Sequence, residues 1–401
     1  MDAAMALAIL FLCVLLLSFV AIAFLLARHY CLRCRRDADH EAQRPHHQPR
    51  YELALPPSES PPPSAAAAAS DKVGDAAPRR LAWREVEALT GGFDEAAVVG
   101  RGGSSAVYLA RLRGGSPVAV KVHRWCGGGE RRLRAFRQEL DLLRRLRHPN
   151  IVALLAYSDD HEEGGALVLE YLPGGTLAER LHGASATSTP PLPWPHRMRA
   201  LHDVACALEH LHGGAPPVVH GDVSASNVLL LGEGAAGARL CDLGSACEGF
   251  SAAVAPTRAA VGSPGYADPF FLRTGIVSKS SDVYSFGVLM LEAITGMPAA
   301  AGPPGGGREE ENLAARVLRA WRRGVDVEVD ARLGEAAAGG YDDEEARDVA
   351  GVAVECLAPQ PGLRPTMAQV RAAVAEKAAR SIARAGYGQK HIQLSKLMEL
   401  T

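Results

Sequence analysis

Gly100-Arg-Gly-Gly-Ser-Ser-Ala-Val-Tyr108 is a glycine-rich turn that runs into a strand, not into a helix. The early glycines let the backbone approach a phosphate closely. A dinucleotide-binding unit would open a helix at this point. Here Val107-Tyr-Leu-Ala-Arg-Leu112 has strand character, a turn follows at Gly114-Gly115, and Val118-Ala-Val-Lys-Val122 reads as a second strand. A lysine on the second strand of such a hairpin, Lys121, can reach phosphates lying under the loop.

The next segments supply partners for that lysine. Leu133, Phe136, Leu140 and Leu143 recur at spacings of three and four, which predicts an amphipathic helix with Glu139 beside its apolar stripe. Glu139 is the natural group to orient Lys121. Leu146-Arg-His-Pro149 ends the helix, and Ile151 to Leu155 and Leu167 to Tyr171 have strand character. A second stripe, Leu201, Val204, Leu208 and Leu211, predicts another helix. His220-Gly-Asp-Val-Ser-Ala-Ser-Asn227 then places Asp222 and Asn227 on one loop, and Leu240-Cys-Asp-Leu-Gly244 adds Asp242. Two carboxylates and a carboxamide on neighbouring loops offer hard oxygen ligands and a proton acceptor, as Mg2+-ATP chemistry requires.

In this order and spacing, the motifs resemble those of eukaryotic protein kinases, and most of all the plant receptor-like kinases. Leu81-Ala-Trp-Arg-Glu-Val-Glu-Ala-Leu-Thr90, Gly262-Ser-Pro-Gly-Tyr-Ala-Asp-Pro269, Ser281-Asp-Val-Tyr-Ser-Phe-Gly287 and Gly362-Leu-Arg-Pro-Thr-Met367 resemble further family segments. The resemblance implies an α+β bilobal kinase fold over 81–377. A small lobe of sheet plus helix spans about 81–169, and a large helical lobe about 171–377. ATP would bind between them, with Mg2+, or Mn2+ in its place, as the metal. The implied nucleotide contacts are Gly100, Gly102, Gly103, Val107, Ala119, Lys121, Glu139, Glu170 and Leu172, with Leu169 as gatekeeper. Lys121 would hold the α- and β-phosphates, Asp242 and Asn227 would bind metal, and Asp222 would accept the proton of a Ser or Thr hydroxyl. Asp282 would brace the catalytic loop, and Ser263 would contact Asp222.

Departures from the family pattern bear on activity. Ser224 stands where serine/threonine kinases carry a lysine, and Ser226 stands where tyrosine kinases carry an arginine. Only six of the 43 basic residues are Lys, so drift in this chain favours Arg, yet position 224 lost its charge. By analogy with removing one preorganised donor, the loss is about 10²–10³ in rate, roughly 3–4 kcal/mol. Gly221 replaces the arginine that in many kinases receives the activation-loop phosphate, so control by loop phosphorylation is expected to be weak. Phe270 replaces a glutamate whose usual partner matches Arg364, which then needs another acid or a repacked segment. Ser105 and Leu243 are mild changes. The resulting expectation is a serine/threonine kinase of low or context-dependent activity, and the alternative is an ATP-binding pseudokinase scaffold acting beside other kinases.

Outside this region, Ala3 to Ala27 is a run of 25 residues without charge, followed by Arg28, Arg33, Arg35 and Arg36. About 20 apolar residues suffice to span a bilayer, and basic residues stay on the cytoplasmic side. The expectation is a single-pass helix over 3–27 with residues 1–2 outside the cell. A basic collar and Pro/Ala-rich linker over 28–80 would follow, with the kinase domain in the cytoplasm and a tail over 378–401. So short an outer segment could not bind an external ligand, so the expected partners are membrane receptor kinases and protein substrates, at the plasma membrane by resemblance. Cys31 and Cys34 suit either palmitoylation or free thiols. Stretches 183–195 and 298–312 read as surface insertions. A net charge of −2 argues against nucleic-acid binding through overall charge, and 8 Cys are too few for a disulfide scaffold.

Overall fold

The structure is a computed structural model that describes residues 77–386, except 103–104, 113, 126–128, 163, 183–189, 233–235, 250–261, 301–311 and 336–339. The expected membrane helix, collar and most of the linker, together with Gly103 and the tail beyond residue 386, lie outside the described residues. Among the described residues, no helix is long and apolar enough to cross a membrane.

The first half of the described chain contains β1 (Arg79–Arg80), α1 (Trp83–Leu89), β2 (Val98–Arg101), β3 (Ser105–Arg111), β4 (Pro117–Arg124), α2 (Glu130–Arg145), β5 (Leu154–His161) and β6 (Gly164–Glu170). The strands form one sheet in the order β1-β5-β6-β4-β3-β2, antiparallel except for the parallel β1–β5 pair. Alternation along β4 sorts its side chains by face. Val118, Val120 and Val122 join Val86 of α1 and Tyr108 in a small core on one side. Ala119, Lys121 and His123 fall on the other face, which β6 extends with Leu167 and Leu169 and on which Phe136 of α2 packs. Helix α2 approaches the sheet so closely that a Cβ on Gly165 would stand 2.4 Å from the Phe136 ring. Only glycine fits there.

The second half contains α3 (Leu177–His182), α4 (Trp194–Gly213), β7 (Val218–Val219), β8 (Val228–Leu230), β9 (Ala238–Leu240), β10 (Cys247–Glu248), α5 (Pro269–Thr274), α6 (Lys279–Thr295), α7 (Leu313–Trp321), α8 (Arg332–Glu335), α9 (Asp343–Cys356) and α10 (Met367–Lys377). The short β8–β9 hairpin and the two-stranded antiparallel pair β7–β10 carry the loops of the site. Helix α6 is buried along nearly its whole length and forms the axis of this lobe. Its first turn is capped by Ser278, and Gly296 in the left-handed conformation ends it. The expected α4 stripe is fully buried.

The stretch 183–195 is not a surface insertion throughout. Leu192 and Trp194 are buried, and Trp194 Nε1 donates to Glu345 at 2.7 Å as α4 begins. The Pro-rich composition suggested a solvated loop, but a proline in the first turn of a helix is equally at home. Ile151 forms only an isolated bridge, and β5 starts at Leu154. Residues 379–386 are helical, with Ser381 and Ala385 buried.

Candidate active site

Lys121 lies at the centre of the interlobe site. Strand alternation points it away from the small core, and register sets it beside Val107 on β3 and Leu167 on β6. Its Nζ donates to both carboxylate oxygens of Glu139 and to Asp242 Oδ1, each at 2.9 Å. The Glu139 side chain is 1% exposed, whereas the Asp242 side chain is 44% exposed, so one carboxylate anchors the lysine and the other still faces the cleft. Burial acts to lower the Lys121 pKa, but the two carboxylates outweigh it and the pKa rises. Burial raises the Glu139 pKa, only partly opposed by Lys121. For Asp242, burial acts upward but Lys121 prevails, and its pKa falls. Asp242 also has a left-handed backbone, φ 63°, uncommon for a non-glycine residue and frequent at functional sites.

The catalytic loop is held from below. Asp282, at the start of α6, accepts hydrogen bonds from His220 N (2.7 Å) and Gly221 N (2.9 Å), and its Oδ2 is 2.8 Å from His212 Nε2. His220 Nε2 lies 3.1 Å from the Cys241 carbonyl, which ties the loop to the residue before Asp242. Asp222 Oδ1 accepts from both the backbone N–H and the hydroxyl of Ser263, at 2.9 Å each. Asn227 Nδ2 donates to the Asp222 carbonyl at 2.8 Å and to its Oδ2 at 3.2 Å. Asp222 Oδ2 is therefore the more weakly engaged oxygen and the one available to a hydroxyl. The Asn227 backbone carbonyl accepts from Cys241 N at 2.9 Å, so its side-chain oxygen is the one that a hard cation could take. Among the described residues, no group of three or more His, Cys, Asp or Glu forms a complete metal cage. A pair of oxygen ligands, Asp242 and Asn227, instead suits a Mg2+ ion completed by phosphates and water.

Gly102 N donates to the Ser105 carbonyl at 2.8 Å, closing the glycine turn, and Gly100 packs on Val107. Ala119 is opposite Leu169 across the sheet, and Leu172 is buried where β6 leaves for the large lobe. Glu170 turns its side chain away from this role. Its Oε1 accepts from Ala153 N at 2.7 Å and pairs with Arg239, while its main-chain N–H donates to the Ala153 carbonyl at 3.1 Å.

Several contributors have no signature in the sequence pattern. Tyr266 accepts from Ala225 N at 3.0 Å and donates to Glu292 on α6, which is 2.8 Å from His182 of α3. His212 and Arg239 likewise act across long sequence separations. Ser224 is 1% exposed, and its hydroxyl has no hydrogen-bond partner among the described residues. Gly221 has φ +79°, and a Cβ there would stand 2.6 Å from the Ser245 carbonyl.

A profile of the protein kinase domain matches residues 93–374, about seven-tenths of the chain. The chain belongs to the protein kinase family. Within that family it is a member of the plant receptor-like kinases. It is 48% identical over 313 residues to the salt tolerance receptor-like cytoplasmic kinase 1 of Oryza sativa subsp. japonica, covering 76% of this chain and 82% of that one. It is 40% identical over 306 residues to a receptor-like protein kinase of Arabidopsis thaliana, covering 72% and 85%. A leucine-rich-repeat receptor-like serine/threonine kinase of Arabidopsis thaliana is 37% identical over 296 residues, but only 32% of its length is covered. The match thus covers most of the first two relatives and about a third of the last.

Proposed function

We propose that this kinase transfers the γ-phosphate of ATP to Ser or Thr hydroxyls of protein substrates, with low or context-dependent activity. The carrying observation is the arrangement of Lys121 between Glu139 and Asp242, with Asp222 held by Ser263 and Asn227 on the facing loop. A Mg2+ ion would be held by Asp242 and Asn227 and would supply neutralisation of the phosphate charge. Lys121 orients the α- and β-phosphates, and Glu139 keeps its ammonium in place. Asp242 and Asn227 supply metal ligands. Asp222 Oδ2 accepts the hydrogen bond of the incoming hydroxyl, aligns it and takes its proton. Catalysis here is mostly positioning and charge compensation.

The test is transfer of labelled γ-phosphate by the full chain with Mg2+-ATP. Labelling of Ser or Thr that Lys121→Met abolishes supports the reading. Nucleotide binding without labelling above that variant supports a pseudokinase scaffold acting beside receptor kinases, the reading that the uncharged Ser224 favours. We further propose that residues 3–27 anchor the kinase in the plasma membrane, with the catalytic domain in the cytoplasm, on the strength of their 25 uncharged residues and the arginines that follow. Extraction by alkaline carbonate from a membrane fraction would overturn the anchor; retention until detergent is added supports it.

A further inference from the structure

Helix α2 carries Glu139, and six residues later, at its end, it carries Arg145. The proposed metal-binding loop carries Asp242, and six residues later the chain carries Glu248 in β10. These two later residues meet. Arg145 Nη1 and Nη2 donate to Glu248 Oε1 and Oε2 at 2.8 and 3.0 Å, a two-pronged contact that fixes direction as well as distance. Arg145 Nε is also engaged, donating to the Asp141 carbonyl at 3.0 Å, so the guanidinium is held on three nitrogens. Glu248 is held by pairing of β10 with Val218 of β7, the strand that leads into the catalytic loop.

Both residues line a cleft of about 140 Å3 with Leu142, His210, Pro216 and Val218. The contact thus joins elements across an open space and is not backed by dense packing. At position 221, where the family pattern places a cation for a loop phosphate, there is a glycine whose left-handed backbone and contact with Ser245 leave no room for a side chain.

We propose that Arg145 and Glu248 form a phosphate-independent clamp that fixes the end of α2 to the start of the activation segment, and so positions Glu139 and Asp242 together around Lys121. Arg145 and Glu248 are positioning residues and touch no reacting atom. The clamp rests on the proposed phosphotransfer site, but its geometry is measurable without turnover.

The test uses the full chain with Arg145→Glu, Glu248→Arg and the double swap, together with the milder Arg145→Met and Glu248→Gln. Amide hydrogen exchange over 243–248 and the affinity for a fluorescent ATP analogue with Mg2+ are read beside kcat and KM. Each single reversal should speed exchange over 243–248 and lower kcat about 3–10-fold with little change in peptide KM, and the double swap should return both to within about twofold of the parent. The single-reversal effect should shrink in high salt, because the pair is partly exposed. Unchanged exchange in the single variants, or no recovery in a folded double swap, overturns the clamp. If the parent itself transfers no phosphate, exchange and nucleotide affinity still decide the clamp, while the phosphotransfer reading falls separately.

Discussion

Asp268 and Arg364 form a buried two-pronged ion pair, with Arg364 Nη1 and Nη2 both 2.8 Å from the Asp268 carboxylate. Their side chains are 1% and 0% exposed. Asp268 lies two residues before Phe270, the residue that displaces the family's glutamate, and it also caps α5 by accepting from Phe270 N at 2.9 Å. Arg364 completes its contacts with the carbonyls of Ala358 and Ser280. Of the two outcomes open for Arg364, another acid or a repacked segment, the first is realised.

Asp268→Asn is expected to destabilise the domain by about 3–5 kcal/mol, because it strands a buried guanidinium. Phe270→Glu should give no comparable gain, since Arg364 is already satisfied. Denaturant unfolding of the two variants checks this; equal stability of Asp268→Asn and the parent would show that the pair contributes little.

Ser224 combines burial with an unpartnered hydroxyl. Ser224→Ala should raise stability by about 1 kcal/mol, since leaving a buried hydroxyl unsatisfied carries a penalty of that order. A simultaneous loss of ATP affinity would mean that this hydroxyl meets the nucleotide. Ser224→Lys should raise kcat by about tenfold or more, as expected for one restored donor to the transferred phosphate. An unchanged kcat in a folded Ser224→Lys protein counts against the role assigned to that position.

His123 is a buried imidazole on the Lys121 face of β4. Among the described residues neither ring nitrogen has a hydrogen-bond partner, and Nε2 is 3.7 Å from Glu139 Oε2. Burial, and after it the Lys121 charge, hold its pKa down at about 3, with Asp242 acting weakly the other way. The unfolded chain would titrate near 6.5, so between these values the unfolded state binds the proton and the folded state does not. Stability is therefore complete above pH 6.5 and falls as pH drops toward 3, by up to about 1.4 kcal/mol per pH unit from this group. His123→Leu should flatten that limb in unfolding curves taken from pH 7 to 5. Parallel curves for parent and variant would refute the assignment.

Gly221 is at φ +79° with the Ser245 carbonyl where a Cβ would go. Gly221→Ala should lower stability by about 1–3 kcal/mol through backbone strain and the displacement of Ser245. Thermal unfolding measures this, and an undiminished Tm would show that the loop adapts freely.

Much of the site was legible because its signals are local. A turn of glycines, a lysine at the right place on the following strand, and a stripe with a spacing of three and four predict β4, α2 and the Lys121–Glu139 contact from segments that lie 18 residues apart. Asp222, Asn227 and Asp242 stood out as hard oxygen ligands on neighbouring loops. The Pro-rich stretch misled at Leu192 and Trp194, because composition does not reveal which residues a distant helix will cover.

By itself, the sequence determined the element pattern and the identity of the polar groups, since strand alternation and helical periodicity are properties of neighbouring residues. Only the tertiary structure decided how those groups were spent. It turned the Glu170 side chain to Arg239, 69 residues away, gave Arg364 to Asp268 across 96, and set Arg145 against Glu248 across 103. Such partners are chosen by which buried or converging charges the folded backbone brings within hydrogen-bond reach, and no spacing along the chain encodes that distance.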